Sequence, residues 1–276
     1  MLVNLNQVLV AARAEDRAIG AFNIYSLETI EAVYRAAIDL DTPVIFAFGE
    51  QYIDVANIKI IAAMVRELAG RTILPMVLHL DHCQSVEVIY QAVQAGFTSV
   101  MFDGSKLPFT ENLARTGEVV RFAHAVGVSV EAELGSVPFG HTESVLPEEY
   151  LTKVDEAVRF VAETGVDALA VAIGTAHGEY KGRPKIYHDR LQQIAEQVAI
   201  PLVLHGGSGV PDEDILAAVR MGVAKINVNT QISLAAVKKL KELCAREKPG
   251  HLSDLLYEAE KVMVEEVKGF IRLFWG

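Results

Sequence analysis

Cysteine is scarce in this chain. Cys83 and Cys244 are the only two among 276 residues, too few for a disulfide framework, so a reducing compartment is expected. Positive charge is short as well: 25 Lys and Arg stand against 36 Asp and Glu, a formal net charge of −11. A nucleic-acid partner, whose phosphates call for a basic face, is therefore not expected. No apolar run approaches the ~20 residues that a membrane-spanning helix requires, so no membrane partner is expected either. The start, MLVNLNQVLVAARAED, lacks the basic residues, the continuous apolar core and the small-residue cleavage site of a secretory signal, and a cytoplasmic location follows as the expectation. Linkers rich in Pro, Gly or Ser are missing too, which predicts one domain over residues 1–276.

Apolar residues are plentiful: 51% of the chain is hydrophobic and 22% charged, a balance that excludes intrinsic disorder. They gather in eight short runs, Ala18–Tyr25, Thr42–Gly49, Met76–His82, Ser99–Gly104, Val128–Gly135, Ala168–Thr175, Ile200–Gly206 and Ala224–Thr230. Each is aliphatic or β-branched and is followed by a polar or glycine-containing turn, the mark of a buried strand. Between them lie helical patterns, including Ser26–Leu40, Ile58–Ala69, Pro108–Ala125, Val154–Thr164, Asp189–Val198 and Asp212–Met221. Ser26 reads as an N-cap, and Pro211 with Asp212, Glu213 and Asp214 suits a first helical turn. Strands too apolar to wet one face predict a parallel sheet covered by helices. The count of eight favours a closed (β/α)8 TIM barrel over an open doubly wound sheet. An extra N-terminal helix is expected at Leu5–Ala14 and a helical tail after Ser253. The apolar content of Leu252–Trp275 fits subunit contact or packing on the chain's own barrel equally well.

A barrel collects its chemistry where strands end, in the βα loops. The third run ends His79-Leu80-Asp81-His82, the fourth ends in Asp103, and the fifth carries Glu131 and Glu133. Gly174-Thr175-Ala176-His177-Gly178 follows the sixth, His205-Gly206-Gly207-Ser208-Gly209 ends the seventh, and Asn227-Val228-Asn229-Thr230 ends the eighth. His82, His177 and His205 thus fall on one rim, and three imidazoles converging there make a Zn2+ site with its fourth position open. Strand alternation puts His79 on the face opposite His82, which reads as structural. The glycine-rich turn at Gly206, Gly207 and Ser208, with Asn227 through Thr230 on the neighbouring strand, forms an anion cradle where barrels commonly bind phosphate. Lys225 begins the eighth strand rather than ending it, so no lysine stands where a Schiff-base enzyme would need one.

The joint presence of LDH, GTAHGEYKG, PLVLHGGSG and KINVNT, preceded by the Ala21-Phe22-Asn23 segment, resembles the class II, zinc-dependent ketose-bisphosphate aldolases of the fructose- and tagatose-bisphosphate type. The match runs in order over nearly the whole chain. By this resemblance His82, His177 and His205 are the zinc ligands, and Asp103 and Glu133 hold a second or transient metal position. Asp81 is the acid that serves the aldehyde oxygen. Gly178, Gly206, Gly207, Ser208, Asn227, Val228, Asn229 and Thr230 contact dihydroxyacetone phosphate. The resemblance implies a phosphorylated sugar substrate, fructose or tagatose 1,6-bisphosphate, cleaved to dihydroxyacetone phosphate and glyceraldehyde 3-phosphate. It also implies a homodimer or homotetramer and, in some members, a monovalent cation on the carbonyls of Gly178 and Gly206.

One stretch departs from the family pattern. Members typically follow Glu-Leu-Gly with a double glycine and an acid that removes the proton from dihydroxyacetone phosphate. Here Glu133-Leu134-Gly135 continues Ser136-Val137-Pro138-Phe139-Gly140-His141-Thr142-Glu143. Glu143 serves as catalytic base from a reshaped loop, or His141 does, or the aldehyde partner differs from glyceraldehyde 3-phosphate. Two other classes compete with an aldolase: a metal-dependent hydrolase on the same barrel, and a silent barrel whose structural zinc takes Cys83 as its fourth ligand.

Overall fold

The computed structural model describes residues 1–138, 145–248 and 250–276. All eight apolar runs form strands: β1 (Ile19–Asn23), β2 (Val44–Gly49), β3 (Met76–Cys83), β4 (Ser99–Phe102), β5 (Ser129–Leu134), β6 (Ala168–Val171), β7 (Leu202–Leu204) and β8 (Val223–Val228). They pair in parallel, each with its sequence neighbours, and β8 closes on β1. The structure is the closed barrel that the alternation predicts.

The helices are α1 (Asn6–Ala14), α2 (Leu27–Leu40), α3 (Ile58–Ala69), α4 (Val86–Ala95), α5 (Phe109–His124), α6 (Val154–Thr164), α7 (His188–Gln197), α8 (Asp212–Arg220), α9 (Thr230–Cys244) and α10 (Leu252–Trp275). Of these, α4 and α9 were not singled out by the periodicity. Ser26 caps α2 as expected: its side chain accepts from the Thr29 amide while Thr29 Oγ1 accepts from the Ser26 amide, a reciprocal capping box.

Two apolar layers divide the core. The larger lies between the strands and the surrounding helices. The smaller fills the N-terminal end of the barrel, where Val8, Leu9 and Ala12 of α1 pack with Ala21, Ala47, Val77, Ala168, Ala170 and Val203. Helix α1 is thus a plug, and the run of alanines above it leaves room in the barrel for longer polar side chains. Those include His79, Asp81, Glu131, Glu133, His205 and Lys225, all buried. On α10, Met263, Val267, Phe270 and Phe274 are buried where the helix packs on α2 and α9 of its own chain, while Leu252 and Tyr257 stay exposed. Among the described residues no helix is long and apolar enough to cross a membrane.

Candidate active site

The site begins with a break in β3. Strict alternation would send Asp81 and His82 to opposite faces. His82 instead adopts φ +47°, in the left-handed region, and the register of β3 against β4 slips between Leu80 and Cys83. Such a conformation costs a non-glycine residue roughly 1–2 kcal/mol, and here it brings both side chains to the cavity at the C-terminal mouth. The face expected for His79 is therefore not the one it takes. It lies inside the barrel beneath the site, its Nδ1 2.8 Å from Ser99 Oγ and its Nε2 3.7 Å from Glu131. Burial and the charge of Lys225 lower its pKa to about 3.

His82, His177 and His205 come together as expected. Their ring nitrogens lie within 4.8 Å of one another, and His82 Nε2 is 2.7 Å from His205 Nδ1. The far nitrogen of each of these two rings meets a carboxylate: His82 Nδ1 lies 3.2 Å from Asp103, and His205 Nε2 lies 2.9 Å from Glu131. A carboxylate behind an imidazole fixes its tautomer and aims the other nitrogen, the usual support of a metal-ligating histidine. Glu131 in turn pairs with Lys225 Nζ at 2.8 Å, and both side chains are fully buried. Lys225 is thereby held within the barrel and does not line the cavity.

The second expected group also assembles, since ligand atoms of His82, Asp103 and Glu133 come within reach of one ion. Burial and the neighbouring charge of Asp103 push Glu133 up to about 8. Burial opposes ionisation of Asp103 as well, but hydrogen bonds from His82 and Ser105 outweigh it and hold the carboxyl below the usual carboxylate range. Asp81 is clamped from both sides, its Oδ1 accepting from Asn227 Nδ2 at 2.9 Å and its Oδ2 from Asn23 Nδ2 at 3.1 Å. Its burial is likewise outweighed, here by the charges of His82 and Lys225, so its pKa is lowered. Cys83 turns to Glu50 and the Ser85 carbonyl and, among the described residues, joins neither group.

The cavity measures about 490 Å3 and is lined on one side by Gly178, Gly206, Ser208, Asn229 and Thr230. Gly206 sits at φ +69°, and a Cβ there would stand 2.3 Å from the Ala176 carbonyl oxygen, so the turn admits only glycine. The Tyr180 hydroxyl ties the loop down, accepting from the Ala176 amide and lying 3.1 Å from the carbonyl oxygens of Ala176 and Gly206. Helix α9 starts at Thr230, so its first amides open beside this turn, as an anion site requires. Two expected contacts are placed differently. Val228 is buried in the outer core, and the Gly207 amide already donates to the Asn227 carbonyl. Glu143 and His141 lie outside the described residues. The cavity also includes Asn23, from the Ala21-Phe22-Asn23 segment to which no role was attached, and Glu50, Gln51 and Gln84, which the motifs passed over. Their one signal is the one used elsewhere, a polar residue at the end of an apolar run.

A model of the family described as fructose-bisphosphate aldolase class-II matches residues 3–275. The chain belongs to the class-II fructose-bisphosphate aldolase family. It is 41% identical over 267 residues to the 6-phospho-5-dehydro-2-deoxy-D-gluconate aldolase of Shouchella clausii, covering 95% of this chain and 90% of that one. It is 38% identical over 279 residues to a fructose-bisphosphate aldolase of Staphylococcus aureus, covering 99% and 97%. The crystal structure of the YdjI aldolase from Escherichia coli K12 matches with a TM-score of 0.90 at 34% identity, covering 99% of this chain and 97% of that one. The protein is therefore an aldolase, a carbon–carbon lyase, of a family that is generally metal-dependent.

The Glu131–His205 contact makes a prediction for this aldolase. Glu131→Gln keeps the side-chain shape but weakens the hold on the His205 Nε2 proton, and metal affinity is expected to fall about 10–100-fold. Titration with a competing chelator reads this directly. Unchanged affinity in a folded variant would show that Glu131 does not support a metal ligand.

Proposed function

We propose that the aldolase performs a Zn2+-dependent, reversible aldol cleavage of a ketose phosphorylated at C1, releasing dihydroxyacetone phosphate and an aldehyde. Fructose and tagatose 1,6-bisphosphate, the substrates implied by the resemblance, meet that requirement. The observation that carries the reading is the convergence of His82, His177 and His205 next to the glycine turn and the start of α9. His82, His177 and His205 would hold the catalytic ion, with Asp103 and Glu133 offering a second position beside His82. When bound, Zn2+ supplies Lewis acidity that lets negative charge develop next to the C2 carbonyl. A monovalent cation on the Gly178 and Gly206 carbonyls belongs to the same proposal.

The chain's own groups do the rest. The C1 phosphate sits against Gly178, Gly206, Ser208, Asn229 and Thr230, where the amides that open α9 favour an anion. In cleavage the C3–C4 pair of electrons moves toward the C2 carbonyl, and Asp81 takes the proton from the C4 hydroxyl. Asn23 and Asn227 hold that carboxylate in place without neutralising it. In condensation Asp81 returns the proton to the aldehyde oxygen. Glu143 exchanges the proton on the reacting carbon of dihydroxyacetone phosphate, and His141 is the next residue to test in that role. Residues 1–276 act as one domain, in the cytoplasm, as a homodimer or homotetramer. A monomer mass by light scattering at micromolar concentration would defeat the last of these.

The two proton transfers can be separated. Exchange of tritium between dihydroxyacetone phosphate and water needs no aldehyde. Asp81→Ala is expected to suppress cleavage by at least about a hundredfold, the usual worth of a general acid–base group, with far less effect on exchange. Glu143→Ala is expected to suppress both. Wild-type exchange and cleavage in Glu143→Ala would move the base elsewhere.

A further inference from the structure

The cavity mouth is charged unevenly from one end to the other. Beyond the glycine turn an adjoining cavity continues along Tyr180, Ser208, Gly209 and Thr230 and carries Lys181 and Lys238. Glu179 lines it too, so two lysines against one carboxylate leave a single net positive charge behind the end proposed for the C1 phosphate. The other wall is made by the turn that follows β2 and by Gln84 after β3, and its side chains are Glu50, Gln51 and Gln84. Glu50 is fixed there, since its Oε2 accepts from the Gln84 amide at 2.9 Å and its Oε1 lies 3.5 Å from Cys83 Sγ. The turn is tied to the end of β8 by Tyr52, whose hydroxyl accepts from Asn229 Nδ2 at 3.0 Å. Among the described residues lining the main cavity there is no lysine or arginine.

We propose that the aldehyde half of the substrate carries no phosphate, so that the enzyme works on a ketose 1-phosphate, and that Glu50 is the residue that discriminates. This rests on the placement of the dihydroxyacetone phosphate half given above. A second phosphate against the Glu50 side would meet a fixed carboxylate and, among the described lining residues, no lysine or arginine to offset it, and like charges placed together are how a site rejects a partner. The hydroxyl groups of an uncharged hydroxyaldehyde would instead find an acceptor in Glu50 and mixed donors and acceptors in Gln51 and Gln84. The chemistry is otherwise unaltered. A bond forms between the hydroxymethyl carbon of dihydroxyacetone phosphate and the aldehyde carbon, one proton leaves the former, and one is added to the aldehyde oxygen.

The test is condensation by the metal-loaded enzyme, with dihydroxyacetone phosphate and three aldehydes: glyceraldehyde, glyceraldehyde 3-phosphate and a carboxylated aldehyde, succinic semialdehyde. The expected kcat/KM for glyceraldehyde exceeds those for both anions by at least about tenfold. Glu50→Gln, and separately Gln51→Arg, should move the ratio toward glyceraldehyde 3-phosphate by several-fold, and the second variant keeps the test alive if the first fails to fold. Equal or better use of glyceraldehyde 3-phosphate by the wild type would overturn the proposal while leaving the dihydroxyacetone phosphate reading intact. A ratio unmoved by the variants would remove Glu50 from the role. Failure with every aldehyde, together with no tritium exchange into dihydroxyacetone phosphate, would instead sink the underlying reading.

Discussion

A carboxylate without solvent contact sits in the middle of the barrel, and the arrangement above it depends on that charge staying paired. Glu131 has Lys225 on one side and His205 on the other, all three fully buried. An ion left alone in such a place costs several kcal/mol, so Lys225 is the condition for Glu131 to remain ionised. An ionised Glu131 can in turn hold the Nε2 proton of His205 and leave Nδ1 facing His82. Charge deep in the scaffold is thereby converted into the orientation of a buried ring beside His82, which lines the cavity.

The barrel can carry this chain because its interior is graded. At the N-terminal end α1 and the alanines of β1, β2 and β6 make a dry floor. Above it the inward positions of β3, β5, β7 and β8 hold long polar residues that satisfy one another. The mouth, where the strands end, is the first level at which such groups reach solvent and substrate. Catalytic groups there are positioned by a stack of neighbours below them, which a loop alone would not provide.

Most of this order is legible in the sequence, because burial imposes a period. Eight apolar runs gave eight strands, Ser26 gave a cap, and polar residues at strand ends marked the mouth. The three imidazoles and the glycine turn followed from that placement. The misjudged elements are those where a local exception or a tertiary contact decides. His82 breaks the alternation through a backbone conformation that no period of two contains, so His79 was assigned to the wrong face. Val228 counted as part of a polar motif, yet its neighbours' orientation sends it into the core. The apolar tail was open to two uses, and packing on α2 and α9 takes up its buried side. Glu50 and Gln84 come together only because β2 and β3 are adjacent in space, and they carry no motif. The loop from 139 to 144 departs from the family pattern and is where the sequence speaks least about mechanism.

The central claim is that one metal ion sits among His82, His177 and His205. Anomalous diffraction from crystals of the zinc-loaded enzyme, recorded on both sides of the zinc absorption edge, locates that ion without reference to activity. The account predicts a peak within bonding distance of one nitrogen of each imidazole, Nε2 of His82 and Nδ1 of His205 among them, that vanishes below the edge. A peak elsewhere in the molecule, with none among the three rings, would contradict it.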